Sequence, residues 1–158
     1  MTPVLNADWI AAHIPHQGTM CLLAEVANWD AQTIVCRASS HRDPANPLRT
    51  DGRLGAATGI EYAAQAMAVH GALLANNEQP PRQGYLTSVR GVSLKIARLD
   101  DLPGDLDIHA EQISGDGNNI LYRFSIHHAG DCLLEGRATV MLDASELNKK
   151  TNTKEMQP

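Results

Sequence analysis

Glu61 is the residue whose position most suggests chemistry. In the stretch LGAATGIEYAAQAMAVHGALLANN, residues 54–77, it is the only charged side chain. An ionised carboxylate among apolar neighbours is costly, so it must be neutralised by a raised pKa, be paired, or face a cleft. Those are the conditions of a carboxyl group that gives or takes a proton. A structural alternative stands beside this one: a glutamate that caps or bonds a neighbouring backbone group. Gln65 lies four residues on, on the same face of a helix. It is placed to orient the carboxylate or to bond the backbone of the preceding loop. Seven histidines offer a partner base: His13, His16, His41, His70, His109, His127 and His128. His41 opens the loop that feeds the helix, and a long loop can fold back to bring it beside the first helical turns. His16 sits in a turn after Ile14 and Pro15. His70 is nine residues beyond Glu61, about half a turn out of phase on a helix, and reads as structural. His127 and His128 fall at a hairpin end and are expected to be exposed.

The elements that must position these groups follow from pattern. Asn6 or Asp8 caps a short helix through Trp9 and His13, ended by Pro15. MCLLAEVANWD and AQTIVCRASS read as two strands around a turn near residues 28–31. HRDPANPLRTDGR, residues 41–53, is a loop rich in turn formers. Residues 54–77 form the long helix, which has no polar face and is therefore expected to be enclosed on every side. EQPPRQG is a loop. Alternation then marks a strand from Tyr85 to Ile96 with a bulge at Gly91, and three more through Leu106–Ala110, Ile120–Ile126 and Cys132–Leu142. SGDGNN and HHAGD are short enough to make antiparallel hairpins. The expected architecture is α+β: an antiparallel sheet of five or six strands curled around one helix. A small sheet cannot cover that helix completely, so a second chain is expected to cover the rest.

Composition narrows the function. The 158 residues suit one domain, taken as residues 1–145, followed by a polar tail, 146–158, that reads as frayed or disordered. A hydrophobic content of 43% supplies a true core. The net charge of −5, with no basic cluster and 4% aromatics, argues against nucleic-acid binding, which needs cations for phosphates and rings for bases. The N-terminus lacks a basic start and a long apolar run, and Glu61, Gln65 and His70 interrupt the least charged window. The expectation is a cytoplasmic protein without membrane insertion. Cys21, Cys36 and Cys132 are dispersed and odd in number, and read as reduced, buried thiols. No HxxxH or HExxH pattern indicates a metal, the one HxxH crosses Pro15, and neither a phosphate loop nor a GxSxG elbow occurs.

Taken together, the pieces resemble the hotdog fold and, more narrowly, the 3-hydroxyacyl-ACP dehydratases. IPHQGTMCLLAEVANWD is similar to that family's Leu-Pro-His-Arg opening and apolar strand. GIEYAAQAMAVHG is similar to its central-helix Glu-Ala-X-Ala-Gln motif, and Pro103-Gly104-Asp105 stands between two strands as it does there. The longer stretch HRDPANPLRTDGRLGAATGIEYAAQ resembles the branch found with aryl polyene pigment biosynthesis. The resemblance implies that Glu61 is the acid and that His41, in HRDP, is the base, with His16 in reserve. It implies backbone donors for the thioester oxygen at the helix start, around Leu54, Gly55 and Gly59, with Gln65 among the substrate-binding residues. No cofactor is implied. The substrate would arrive on the phosphopantetheine arm of an acyl carrier protein, at a site between two protomers of a homodimer or of a heterodimer with a related dehydratase, with the histidine and the glutamate coming from different chains. Dehydration fits these residue types: a histidine titrating near neutrality takes a C2 proton, and a carboxyl group kept neutral by apolar surroundings protonates the leaving hydroxyl. Two alternatives remain open: an acyl thioesterase in which Glu61 activates water, and a non-catalytic subunit that stabilises an active dehydratase partner.

Overall fold

The computed structural model describes residues 4–75, 84–116 and 118–141. The expected tail, the end of the long helix beyond Ala75, Leu142 and most of EQPPRQG lie outside these residues. Helix α1 spans Ala7–His13, and its N-cap is Asn6, whose Oδ1 accepts the Trp9 N–H at 3.0 Å. Ile14 closes it and Pro15 follows. Strands β1 (Glu25–Trp29) and β2 (Thr33–Ala38) form a hairpin. Its turn falls at residues 30–32, slightly later than expected. The Asp30 carboxylate accepts the N–H groups of Gln32 and Thr33 at 2.8 and 2.7 Å and sets the reversal there. The first strand also begins later than expected: Gly18–Met20 is a turn of 3-10 helix, and the Leu22 N–H and carbonyl go to the side chains of Gln65 and Ser40.

The long helix, α2, is Gly59–Leu74, five residues shorter at its start than the pattern suggests. Two bonds hold that start extended. The Leu54 N–H goes to Asp100 Oδ1 at 2.8 Å and the Ala56 N–H to the Ala97 carbonyl at 3.0 Å, so this backbone pairs with the chain after β3 instead of coiling. Ala56–Thr58 is 3-10 helix leading into α2. Strands β3 (Tyr85–Leu94), β4 (Leu106–Gly115), β5 (Asn119–His128) and β6 (Asp131–Met141) complete one antiparallel sheet of order β1-β2-β4-β5-β6-β3. Gly91, at φ +60°, sits where the β3–β6 register slips, which is the bulge its sequence position suggests. Ala129 and Gly130, both at positive φ, make the tight β5–β6 turn.

The sheet curls around α2, which packs on β2, β4 and β5. Inward-facing residues of alternate positions, among them Ile34, Cys36, Ile108, Phe124, Ile126 and Leu134, meet the buried helix face of Tyr62, Ala63, Ala66 and Val69. Gly59 lets the helix reach the sheet: a Cβ there would stand 2.8 Å from a Leu134 methyl. The helix is not enclosed on every side within one chain. Glu61, Ala64, Ala68, Gly71 and Ala72 form a partly exposed stripe. The cysteines are free, as expected, but Cys36 alone is buried, and burial pushes its thiol up to about 12.

His70 is a tie between helix and sheet. Its Nε2–H donates to the Asp30 carbonyl at 2.8 Å, and its Nδ1 accepts the Tyr122 hydroxyl at 2.8 Å. The carbonyl can only accept, which fixes this tautomer. Replacing Tyr122 with Phe leaves a buried nitrogen without its donor. Urea unfolding of the Tyr122→Phe variant is expected to show a loss of about 1–3 kcal/mol.

Candidate active site

Glu61 stands in the first turn of α2 on the open stripe, and the chain's opening segment crosses in front of it. Three bonds define its setting. His16 Nε2 lies 3.0 Å from Glu61 Oε1, and Gln65 Nε2 donates to the same oxygen at 3.2 Å. The other face of Gln65 holds the opening segment in place: its Oε1 accepts the Leu22 N–H at 2.9 Å and its Nε2 donates to the Met20 carbonyl at 2.7 Å. Gln65 is fully buried and its amide is committed to these partners, so it supports the carboxylate and leaves no donor for a substrate. Glu61 is therefore paired and faces a cleft, two of the three states its sequence setting allows. Its side chain is 32% exposed and that of His16 25%, so small molecules can reach both.

The pair lies in the wall of a cleft of about 390 Å³. The floor is the helix stripe of Ala64, Ala68, Gly71, Ala72 and Ala75, and the opposite wall is formed by Leu86, Ile120, Tyr122 and Val140 of the sheet. Tyr122 offers this cleft a ring, since its hydroxyl is turned to His70. His13 also lines the cleft, a residue that the sequence reading names among the seven histidines without singling it out. Its ring stacks on Trp9 at 3.9 Å and its Nδ1–H donates to the Trp9 carbonyl at 2.7 Å. The only signal in the sequence was its spacing of three from His16, which carries no directional information across Pro15.

His41 does not line this cleft. It is fully buried; its Nε2–H donates to the Leu102 carbonyl at 3.1 Å and its Nδ1 has no partner. Burial, chiefly, lowers its pKa; the bond to the Leu102 carbonyl opposes the shift, and Arg42 and His128 add to it. The loop that carries it is tied down. Asn46 Nδ2 donates to the Ser40 carbonyl and to the Tyr62 hydroxyl, that hydroxyl meets Ser40 Oγ at 2.8 Å, and Arg49 donates to the His41 carbonyl. Within one chain, no bond joins His41 to Glu61 among the described residues. Leu54 and Gly59 also stand away from the cleft. Leu54 is fully buried with its N–H on Asp100, and Gly59 is pressed on Leu134. The N–H groups of Ala56, Thr58 and Gly59 are spent on neighbouring carbonyls, so the helix start offers far fewer free donors than expected. Gly55 is exposed and open. His127 and His128 are half-buried instead of exposed; the His127 and His109 rings pack edge to face, and His128 bonds the Pro103 carbonyl. No metal-binding group of three or more ligand residues occurs among the described residues, and no described helix is long and apolar enough to cross a membrane.

A curved antiparallel sheet around one helix, with a glutamate and a histidine meeting at an apolar cleft, defines a hotdog-fold protein. A family model described as ApeP dehydratase, ApeP-like, matches residues 9–152, and the chain belongs to that family of dehydratases. Among solved structures it is similar to a chain of the dehydratase heterocomplex ApeI:P from Xenorhabdus doucetiae. That match has a TM-score of 0.75 and 24% identity over 90% of this chain and 97% of that one. AziG from S. sahachiroi has a TM-score of 0.57 and 12% identity, covering 78% of this chain and 91% of that one. A thioesterase from Pseudomonas aeruginosa gives 0.56 and 13%, covering 74% and 78%. No curated protein matches the chain.

Burial lowers the pKa of His41, His70 and His109 below the ordinary 6.5. The unfolded chain therefore takes up these protons at higher pH than the folded one. The stability they contribute is complete above pH 6.5 and is lost as the pH falls below it. The urea midpoint is expected to be flat down to roughly pH 7 and to drop as the pH falls below about 6.5. An unchanged midpoint below that pH contradicts the lowered pKa of these three rings.

Proposed function

We propose that the chain removes water from a 3-hydroxyacyl thioester carried on the phosphopantetheine arm of an acyl carrier protein, giving the trans-2-enoyl thioester, in fatty-acid or aryl-polyene-type synthesis. The observation that carries this reading is the 3.0 Å contact of His16 and Glu61 at an apolar cleft. The reaction breaks a C2–H bond and the C3–O bond and forms the C2–C3 double bond. In the proposed mechanism His16 takes the C2 proton and Glu61 gives its proton to the departing hydroxyl, which leaves as water. The proton on the imidazole then passes across the His16–Glu61 contact to the carboxylate and restores the starting state, so the cycle balances without a cofactor. The apolar cleft takes the acyl chain and excludes water from it. His41, the base that the family resemblance implies, is buried here. Its proposed role is to hold its loop against Leu102.

The proposed active form is a dimer, with a second copy or with a related dehydratase. Strand β3 ends the sheet order, so one edge of it is unpaired, and it exposes Tyr85, Leu86, Val92 and Leu94. The heterocomplex of the Xenorhabdus dehydratases supports the second arrangement.

The test is conversion of 3-hydroxyacyl carrier protein by the chain alone and mixed with a related dehydratase chain, read as loss of one water by mass. Glu61→Gln and His16→Gln are each expected to slow it by about 10²–10⁴-fold. His41→Gln is expected to retain a rate well above those two. Absence of conversion in both preparations sinks the proposal. Release of free thiol in place of dehydration assigns a thioesterase, and an unaffected mixed complex carrying Glu61→Gln assigns a scaffold role.

A further inference from the structure

The cleft does not stop at the proton-transfer pair. It runs along α2 past Ala64, Ala68 and Gly71 to Leu74 and Ala75, where Leu86 of β3 forms the far wall and is itself 41% exposed. Gly71 stands midway in this run with ordinary backbone angles, and a Cβ built on it meets nothing within 4 Å among the described residues. That distinguishes it from Gly59 on the same helix, whose Cβ would press into Leu134 and which is needed for packing. Neither backbone conformation nor packing requires a glycine at 71. The space over it is part of the cleft.

From this we infer that Gly71 sets the length of acyl chain the cleft admits, its missing side chain leaving the passage through which a long chain continues beyond the reacting carbons. The inference rests on the acyl-chain reading of the cleft and adds the residue that limits it. Gly71 is ten residues beyond Glu61, about 15 Å along the helix axis at 1.5 Å per residue. An extended chain advances roughly 1.2 Å per bond, so about twelve bonds separate the reacting end from Gly71. Shorter chains end beneath Ala64 and Ala68; longer ones must pass over Gly71. Tyr122, which also lines the cleft, is held by its buried bond to His70.

The experiment compares Gly71→Leu and Gly71→Ala with the parent chain, in whichever assembly is active, on 3-hydroxyacyl carrier proteins of about six and about sixteen carbons. With Gly71→Leu, kcat/KM for the long chain is expected to fall at least about tenfold while the short chain stays within about twofold, with Gly71→Ala between. Equal loss at both lengths, or no change at either, overturns the inference while leaving the dehydratase reading intact. Native mass is measured on each variant: dissociation accompanied by loss at all lengths means that this face packs on a partner chain, and also overturns it. If the parent chain dehydrates neither substrate, the functional reading fails separately. Displacement of a fluorescent fatty-acid probe by six- and sixteen-carbon acids then decides the inference, with selective weakening of the long acid by Gly71→Leu expected and indifference to length overturning it.

Discussion

One buried amide holds the site together. Gln65 lies inside the protein with its polar bonds directed at different pieces of the site: the backbone at Met20 and Leu22 and the carboxylate of Glu61. A buried amide with satisfied partners is strongly directional, because any displacement leaves a polar group unpaired in an apolar interior. The segment that carries His16 has no regular structure of its own beyond a turn of 3-10 helix. Its position against α2 depends on this clamp, and so does the meeting of His16 with Glu61. Gln65 is thus a positioning residue with both halves of its amide in use.

The residue after Glu61 performs the same service for the other loop. Tyr62 is buried, and its hydroxyl gathers Ser40 and Asn46, so the loop of residues 39–53 is folded onto the helix and does not stand open. His41 is carried inward by that folding. Adjacent helix residues therefore look in different directions, one to a cleft and the other to a sealed polar cluster. The contrast between His16 and His41 follows from it: one ring is reachable and meets a carboxylate, the other is buried on a backbone carbonyl.

Much of the fold was legible in the chain. The Asn6 cap, the period-two alternation of β4, β5 and β6, the hairpin turns and the Gly91 bulge are local matters, settled by the backbone preferences of a few neighbouring residues. The start of α2 was not legible, because Leu54 and Ala56 give their N–H groups to Asp100 and Ala97, more than forty residues away. The setting of each candidate histidine depends on distant contacts of the same kind. A count of residues from His41 to Glu61 carries no information on whether a loop turns its histidine outward or inward, and the deciding contacts are those of Tyr62, Asn46 and Leu102. His13 was passed over for the same reason.

By itself, the sequence determined that a lone carboxylate sits on a helix of small apolar residues and that strands alternate on either side of it. Periodicity and composition act over a few residues and need no knowledge of what lies opposite. Only the tertiary structure decided which histidine meets that carboxylate, which glycine is required by packing and which leaves open space, and that the helix keeps one face uncovered. Those outcomes depend on contacts between segments far apart in the chain, formed only when the sheet closes around the helix.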